Sequence, residues 1–246
     1  MSRWRASGIH FLISLFVAIA VAAIVILVMY PPPYTASTGV GRILVILVSV
    51  DVTLGPLITL IIFKYGKPGL KFDLSVIAIL QVTALIYGLT IISQARPVFI
   101  AFVKDRFELV QANAIEDEAF AEASPPFNSK PWTGPMLVGT RMPEDADAQD
   151  KILMSALGGG PDIHAMPMFY VPYESQQGQV LARAKPLTDL RGRTEDADNV
   201  VANWLEGEQK NAKDFTYYPF KARAGFHTLI INQDAEPVAI LKIDPW

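Results

Sequence analysis

Histidine and carboxylate side chains that could bind a metal or transfer a proton occur at two places in residues 97–246. Asp162 and His164 are separated by one residue after a glycine-rich turn, and His227 lies among apolar neighbours. Two ligands are too few for a metal centre, so Asp162 and His164 favour an ordinary loop. His227 alternates with apolar residues as in a strand, which favours a surface or structural role. Neither place predicts a catalytic centre.

Other patterns that can serve catalysis have simpler explanations in this chain. Gly158–Gly160 lacks the Lys-Ser/Thr pair of a phosphate-binding loop and is better interpreted as a helix C-cap and turn. Three acidic clusters lie where helices are predicted to begin, at which the helix dipole stabilises negative charge: Glu116–Glu118, Glu144–Asp150 and Glu195–Asp198. The chain has no cysteine, which excludes thiol nucleophiles and thiolate metal sites. We therefore predict that the protein is not an enzyme and binds no cofactor or metal.

Asp51 is the most informative residue, because it interrupts the apolar run Ile43–Phe63. It lies about 12 Å into that run at 1.5 Å per residue. A charge inside a bilayer costs about 2.5–3.5 kcal/mol on insertion scales, so Asp51 is expected to face protein instead of lipid. The pair Gly55-Pro56 follows four residues later and loosens the helix by removing a backbone donor, although a simple structural kink is the plainer interpretation.

Three interpretations of Asp51 remain open. It could form an internal hydrogen bond, for which the candidate partners are Ser49, Thr53, Gln81 and Thr83. It could instead accept a polar or cationic group from another transmembrane helix, or belong to a proton or ion pathway. For the second interpretation, the hypothetical partner-binding residues are Asp51, Gly55, Pro56 and Gln81.

Three apolar runs predict that residues 1–96 form a three-helix transmembrane domain. A helix needs about 20 apolar residues to cross a bilayer, and such runs extend over Ile9–Tyr30, Ile43–Phe63 and Leu74–Ile92. The first run is too long for the apolar part of a signal peptide, so it is expected to remain as an anchor. The predicted fold is a membrane α-helical domain with three transmembrane helices, followed by an extracytoplasmic α+β domain at residues 97–246.

Charge predicts the orientation of these helices. Residues 1–96 carry a net charge of +5, with two arginines in the N-terminal tail and three lysines in the loop 64–73. The other loop, 31–42, contributes only Arg42, so the positive-inside rule places the N-terminus in the cytoplasm. Residues 97–246 then lie outside the cytoplasm, which in a Gram-negative cell means the periplasm. Their net charge of −8 repels phosphate backbones, which excludes nucleic acid as a partner.

Residues 97–246 are numerous enough to bury a core of their own. Alternation and turn signals predict strands at Val98–Val103, Arg106–Val110, Met136–Arg141, Met168–Tyr173, Phe215–Arg223, Phe226–Asn232 and Val238–Ile243. Helices are predicted at Asn113–Ala123, Pro143–Leu157 and Glu195–Gln209, the last with Thr194 as its N-cap. The stretch Asp162–Arg193, rich in proline, glycine and glutamine, is expected to be only partly ordered.

Five motifs occur in order along residues 1–110: Ser2–His10 (SRWRASGIH), Tyr30–Tyr34 (YPPPY), Val50–Leu57 (VDVTLGPL), Lys67–Leu74 (KPGLKFDL) and Ala95–Phe99 (ARPVF). Together they resemble the TfpX/TfpZ family of type IV pilin accessory proteins. The resemblance implies an inner-membrane protein of Gram-negative bacteria that assists pilus assembly or modulates extension and retraction, without enzymatic chemistry. It also implies type IV pilin, other pilus machinery and the lipid bilayer as partners.

Three classes of function follow from these observations. The leading class is a non-enzymatic assembly factor that contacts pilin in the membrane, where Asp51 receives a polar group from the pilin helix. The alternative is a membrane-anchored periplasmic sensor or regulator that binds a ligand in residues 97–246. The third is a small transporter that uses Asp51.

Overall fold

The structure is a computed structural model that describes residues 2–190, 195–207 and 211–246. The chain divides into two compact units. The membrane unit contains residues 1–35 and 39–96, and the C-terminal unit contains residues 36–38 and 97–246. Thr194, the predicted N-cap, lies outside the described residues, as does Gln209.

The membrane unit is built from long apolar helices. Its elements are α1 (Arg3–Ile24), continued by a π-helical turn (Val25–Met29), then α3 (Val40–Ile62) and α4 (Leu70–Gln94), with the short α2 (Thr35–Thr38) between α1 and α3. Three of these segments are long and apolar enough to cross a membrane: Arg3–Met29, Val40–Ile62 and Leu70–Gln94. The three predicted transmembrane helices are confirmed.

Small side chains allow these helices to approach each other. α3 packs against both α1 and α4, and the face that α1 buries consists of Ala6, Ser14 and Ala18. Close approach through small residues is the usual basis of helix packing in lipid. The remaining surface is apolar, with Phe16 73% exposed and Ile61 72% exposed. Such a surface suits hydrocarbon as its solvent and is rare on soluble proteins.

The C-terminal unit contains a mixed eight-stranded sheet among the described residues, with strand order β4-β3-β1-β2-β6-β7-β8 and β5 paired to β6. The strands are β1 (Pro97–Val103), β2 (Arg106–Gln111), β3 (Met136–Thr140), β4 (Tyr170–Pro172), β5 (Lys185–Pro186), β6 (Thr216–Ala222), β7 (Gly225–Ile231) and β8 (Pro237–Leu241). The first two and the last three predicted strands are confirmed, and they form the antiparallel pairs β1–β2, β6–β7 and β7–β8. β1 also pairs in parallel with β3, and β2 pairs in parallel with β6. The α+β class is therefore confirmed.

In the described part of this unit, three α-helices accompany the sheet: α5 (Ala146–Leu157), α6 (Gln177–Arg183) and α7 (Glu195–Gly207). Asp145 caps α5, since its side chain accepts a hydrogen bond from the Ala148 N–H at 3.0 Å. Gly158 is the C-cap of α5 and Gly159 has φ +78°, which confirms the interpretation of this glycine run as a cap and turn. In α7, Val201 is fully buried in a core cluster with Leu187.

Two predictions for this unit are wrong. The predicted helix Asn113–Ala123 is replaced by two 3₁₀ turns, Ala112–Ala114 and Asp117–Phe120. Ile115 and Phe120 are both buried, whereas one helix would place residues five apart about 140° around its axis. The stretch Asp162–Arg193 has regular structure through residue 190, because its prolines and glycines separate short elements whose apolar residues are buried.

Candidate functional site

Asp51 lies at the midpoint of α3, 11 residues from Val40 and 11 from Ile62. At 1.5 Å per residue it is about 16 Å from either end, deeper than the apolar run suggested, because the helix begins before that run. The residue is half-buried. Its carboxylate forms no hydrogen bond or ion pair with any residue in the described ranges, so the internal hydrogen bond expected as one alternative is not found there.

Gln81 approaches Asp51 without contacting its carboxylate. The Gln81 side-chain amide donates from Nε2 to the Asp51 backbone carbonyl at 3.2 Å. The other end of the same amide, Oε1, lies 2.9 Å from Nε2 of His10. Since Oε1 can only accept, His10 Nε2 carries a proton and donates it. Gln81 therefore links α4 to both α1 and α3.

His10 completes a polar network across the three helices. Its Nδ1 lies 2.6 Å from Thr59 Oγ1 on α3, and in the neutral ring Nδ1 accepts the Thr59 hydroxyl proton. On the same face of α1, Ser7 Oγ donates to the Pro56 carbonyl at 2.9 Å. Every partner in this network is at least 30 residues away in sequence.

Gly55 and Pro56 serve different contacts. A Cβ on Gly55 would lie 2.2 Å from Gln81 Nε2. The absence of a side chain at Gly55 therefore allows the Gln81 amide to pack against α3 at this position. Pro56 lacks the N–H that would bond the Val52 carbonyl, yet α3 continues through it to Ile62. Its own carbonyl faces Ser7 on α1. Asp51, Gly55 and Gln81 thus meet at the α3–α4 contact, while the Pro56 carbonyl points to α1.

Two cavities open beside Asp51. The larger, about 470 Å³, is lined only by α3 and α4, and we call it the α3–α4 groove. It contains Val50, Asp51, Leu54, Gly55, Ile58, Ile62, Phe72, Asp73, Val76, Ile77, Leu80, Gln81 and Ala84. The smaller, about 160 Å³, adds His10 and other residues of α1. Asp51 and Gln81 line both cavities, so Asp51 borders open space on both sides of the Gln81 amide.

Sequence reasoning missed the role of His10, Ser7 and Thr59 in this site. The available signal was His10 itself, an ionisable residue inside an apolar span, for which a polar partner within the bundle is expected. Gln81, the one amide side chain in the apolar run Leu74–Ile92, was the matching signal.

A second cluster lies in the C-terminal unit around Glu108, whose side chain is 3% exposed. Asp162 and His164 reach Glu108, and one ligand-type atom from each of the three lies within 4.8 Å of the others. Sequence reasoning found only two of these groups, because Glu108 is distant in sequence. However, Arg106 Nη2 lies 2.6 Å from one Glu108 oxygen and Lys221 Nζ 3.3 Å from the other.

These cations determine the character of the Glu108 cluster. Arg106 and Lys221 together neutralise Glu108 and Asp162, and a metal ion would have to displace Lys221. The arrangement is that of an ion-pair network around one buried carboxylate, that of Glu108. Burial lowers the pKa of His164 despite the neighbouring carboxylates of Glu108 and Asp162, which favours a neutral ring.

His227 is buried in β7. Burial, with Lys242 as a second cause, lowers the pKa of its imidazole. Its Nε2 has no hydrogen-bond partner among the residues that the structure covers. These features agree with the structural role that its sequence pattern favoured.

Comparison with known proteins identifies relatives along the whole chain. Residues 1–39 match the family of the fimbrial assembly protein FimB. The fimbrial assembly protein of serogroup E1 from Dichelobacter nodosus is 34% identical over 247 residues, covering 98% of this chain and 95% of the relative. The serogroup I protein of the same organism is 34% identical over 186 residues, 74% of this chain and 72% of the relative. No solved structure matches. The chain therefore belongs to the family of fimbrial assembly proteins.

Proposed function

We propose that the protein is a non-enzymatic inner-membrane factor that assists assembly of type IV fimbriae, or modulates their extension and retraction, by receiving the pilin transmembrane helix in the α3–α4 groove. The relatives named as fimbrial assembly proteins support the assembly role. The resemblance of residues 1–110 to TfpX/TfpZ proteins supports type IV fimbriae and a pilin partner. The unpaired carboxylate of Asp51 is the observation that carries the proposed contact.

Asp51 differs from seven other polar side chains of the described spans, all of which form hydrogen bonds. Thr53, Ser75 and Thr90 each donate to a carbonyl four residues earlier in their own helix. Ser7, His10, Thr59 and Gln81 bond across helices, as described above. A charge at the middle of a span costs about 2.5–3.5 kcal/mol unless protein or water compensates it. A cationic or hydrogen-bond-donating group on a partner helix would supply that compensation.

The α3–α4 groove suits a helix as its occupant. Most of its lining is apolar, and its remaining acid, Asp73, is paired with Lys67 at 2.6 Å. Leu54 and Ile58 line it and are 48% and 37% exposed, so they are available to a partner helix. Helices associate in lipid through such packing combined with polar contacts. Asp51 would fix the depth and rotation of the bound helix.

The proposed orientation places the C-terminal unit in the periplasm. Residues 2–5 and 64–73 carry five of the seven basic residues of the membrane segment, and the positive-inside rule assigns both to the cytoplasm. A pilin helix lying alongside α3 would then have its head in the periplasm, the compartment proposed for the C-terminal unit.

Site-specific crosslinking tests the groove. A photoreactive amino acid replaces either Leu54, which lines the groove, or Leu57, which is 52% exposed and lines neither cavity. We expect a crosslink to pilin in native membranes from position 54 and little from position 57. The matched exposure of the two leucines makes position 57 a control for random collision in the bilayer.

Substitution of Asp51 tests the polar contact. With the photoreactive residue at position 54, Asp51→Asn should retain part of the crosslink, because an amide still accepts a hydrogen bond, and Asp51→Leu should abolish it. Undiminished crosslinking and normal piliation in both variants would remove Asp51 from the mechanism. Equal crosslinking from positions 54 and 57 would reject the groove itself.

A further inference from the structure

A cleft in the C-terminal unit has the features of a binding site. Its volume is about 420 Å³, which is within the range of small-ligand sites. Its lining includes the buried Phe102 and Ile163 and the exposed Lys104, Gln149 and Arg183. Buried apolar residues with convergent polar groups are the usual composition of such a site.

Gln176 gives this cleft a ligand preference. It lines the cleft although it is only 5% exposed. Its amide forms no hydrogen bond with any of the residues that the structure describes, yet Oε1 and Nε2 are not fully enclosed, so they stay accessible from the cleft. Gly139 of β3 makes this placement possible, because a Cβ there would lie 2.5 Å from Gln176 Cγ. The fold thus buries most of the Gln176 side chain and leaves its amide open to a ligand in the cleft.

The charged groups of the cleft are cations. Lys104 and Arg183 line it, no acidic residue does, and neither cation forms an ion pair within the described part of the chain. Arg183 Nη1 donates to the Lys104 carbonyl at 3.1 Å, which keeps the guanidinium at the cleft. Asp105, the acid next to Lys104 in sequence, pairs with Arg106 at 3.3 Å.

We propose that this cleft binds a short acidic peptide segment. The Gln176 amide offers one donor group and one acceptor in a plane, which matches a peptide group of the ligand. Arg183 and Lys104 bind the carboxylate of an adjacent acidic side chain, for which the fork of a guanidinium is well suited. The site lies wholly in the C-terminal unit and its occupancy does not depend on the α3–α4 groove.

Binding to the full-length protein in detergent micelles tests this proposal. The probes are acetyl-Ala-Glu-Ala-amide, its neutral counterpart acetyl-Ala-Gln-Ala-amide, and glutarate, which has carboxylates but no peptide group. We expect the acidic peptide to bind about tenfold more tightly than either other probe, since each lacks one of the two contacts. Gln176→Leu and Arg183→Gln should each weaken the acidic peptide about tenfold.

Gln177→Leu is the matched control. Gln177 is adjacent to Gln176, but its Nε2 donates to the Asp234 carbonyl at 3.3 Å and it does not line the cleft. This variant should bind the peptide like the unmodified protein. Arg183 is exposed, so its substitution tests the site even if Gln176→Leu fails to fold. Unchanged affinity in Arg183→Gln, glutarate binding as tight as that of the acidic peptide, or absence of peptide binding would each overturn the proposal.

Discussion

Replacement of Gly55 by alanine tests whether the polar network positions the helices. A Cβ on Gly55 would lie 2.2 Å from Nε2, 2.7 Å from Cδ and 2.8 Å from Oε1 of Gln81. These atoms belong to the end of a flexible side chain, so the helices can stay in place while the Gln81 amide moves. Its displacement breaks the hydrogen bonds to the Asp51 carbonyl and to His10.

The expected energies favour a double-mutant cycle over a single variant. Interhelical hydrogen bonds in membranes average about 0.6 kcal/mol, so loss of both bonds costs about 1.2 kcal/mol. Alanine in a helix is up to about 1 kcal/mol better than glycine, which nearly cancels that loss in Gly55→Ala. In a Gln81→Ala background there is no Gln81 amide to displace. Gly55→Ala then shows only the stabilisation from the higher helix propensity of alanine. The coupling free energy between the two positions should therefore be about 1.2 kcal/mol.

The assay is reversible unfolding of the full-length protein in mixed micelles, with the free energy of unfolding measured for the two single variants and the double variant. Gly41→Ala is the control, because it lies in the same helix and its added Cβ would have no atom within 4 Å. Gly41→Ala should be additive with Gln81→Ala. A coupling for Gly55 below about 0.3 kcal/mol, indistinguishable from that of Gly41, would refute the reasoning.

Three further predictions concern orientation and the C-terminal unit. Alkaline phosphatase fused after Trp246 should be active in cells, and the same enzyme inserted in the α3–α4 loop inactive; the reverse pattern would invert the proposed topology. Glu108→Gln should lower the free energy of unfolding by about 1–3 kcal/mol, because two cations lose a buried partner, whereas Asp105→Asn at the exposed pair should cost under about 1 kcal/mol in the same denaturant titration. Burial lowers the pKa of His164 and of His227 below 6.5 in the folded state. As pH falls, the unfolded chain therefore binds protons at these histidines at a higher pH than the folded protein does, and the free energy of unfolding should decrease as pH drops through about 6.5. His164→Gln and His227→Gln should each reduce that slope by up to about 1.4 kcal/mol per pH unit, and an unchanged slope in both would contradict the assignment.

Local patterns were sufficient for most helices and hairpins. The apolar runs located all three spans, but they underestimated the helices, since α1 begins at Arg3 and α4 at Leu70. Hydropathy marks where hydrocarbon surrounds a helix, while backbone hydrogen bonding continues into polar flanks. Ser2 shows this directly, because its side chain accepts from the Arg5 N–H and starts α1 outside the apolar run.

Contacts between distant segments could not be predicted. The parallel pairs β1–β3 and β2–β6 join segments that no turn connects, so alternation identifies the strands and leaves their partners open. Glu108 shows that the same limit applies to side-chain clusters. It contacts His164 only because the fold brings β2 next to the turn that contains His164. The prediction for Asp162–Arg193 also failed, because its several short elements share no single hydrophobic period.

The polar network explains why Asp51 remains unpaired. Gln81 is close enough to bond Asp51, yet His10, 71 residues away in sequence, binds Gln81 Oε1 and turns Nε2 towards the Asp51 backbone. The contacts that join α1, α3 and α4 therefore use the only nearby amide without involving the carboxylate. A fold that needed only this network would be equally well served by an apolar residue at position 51, without the cost of an acid in the bilayer. An acid that the fold does not use and lipid disfavours therefore supports the proposal of a partner helix that carries its counterpart.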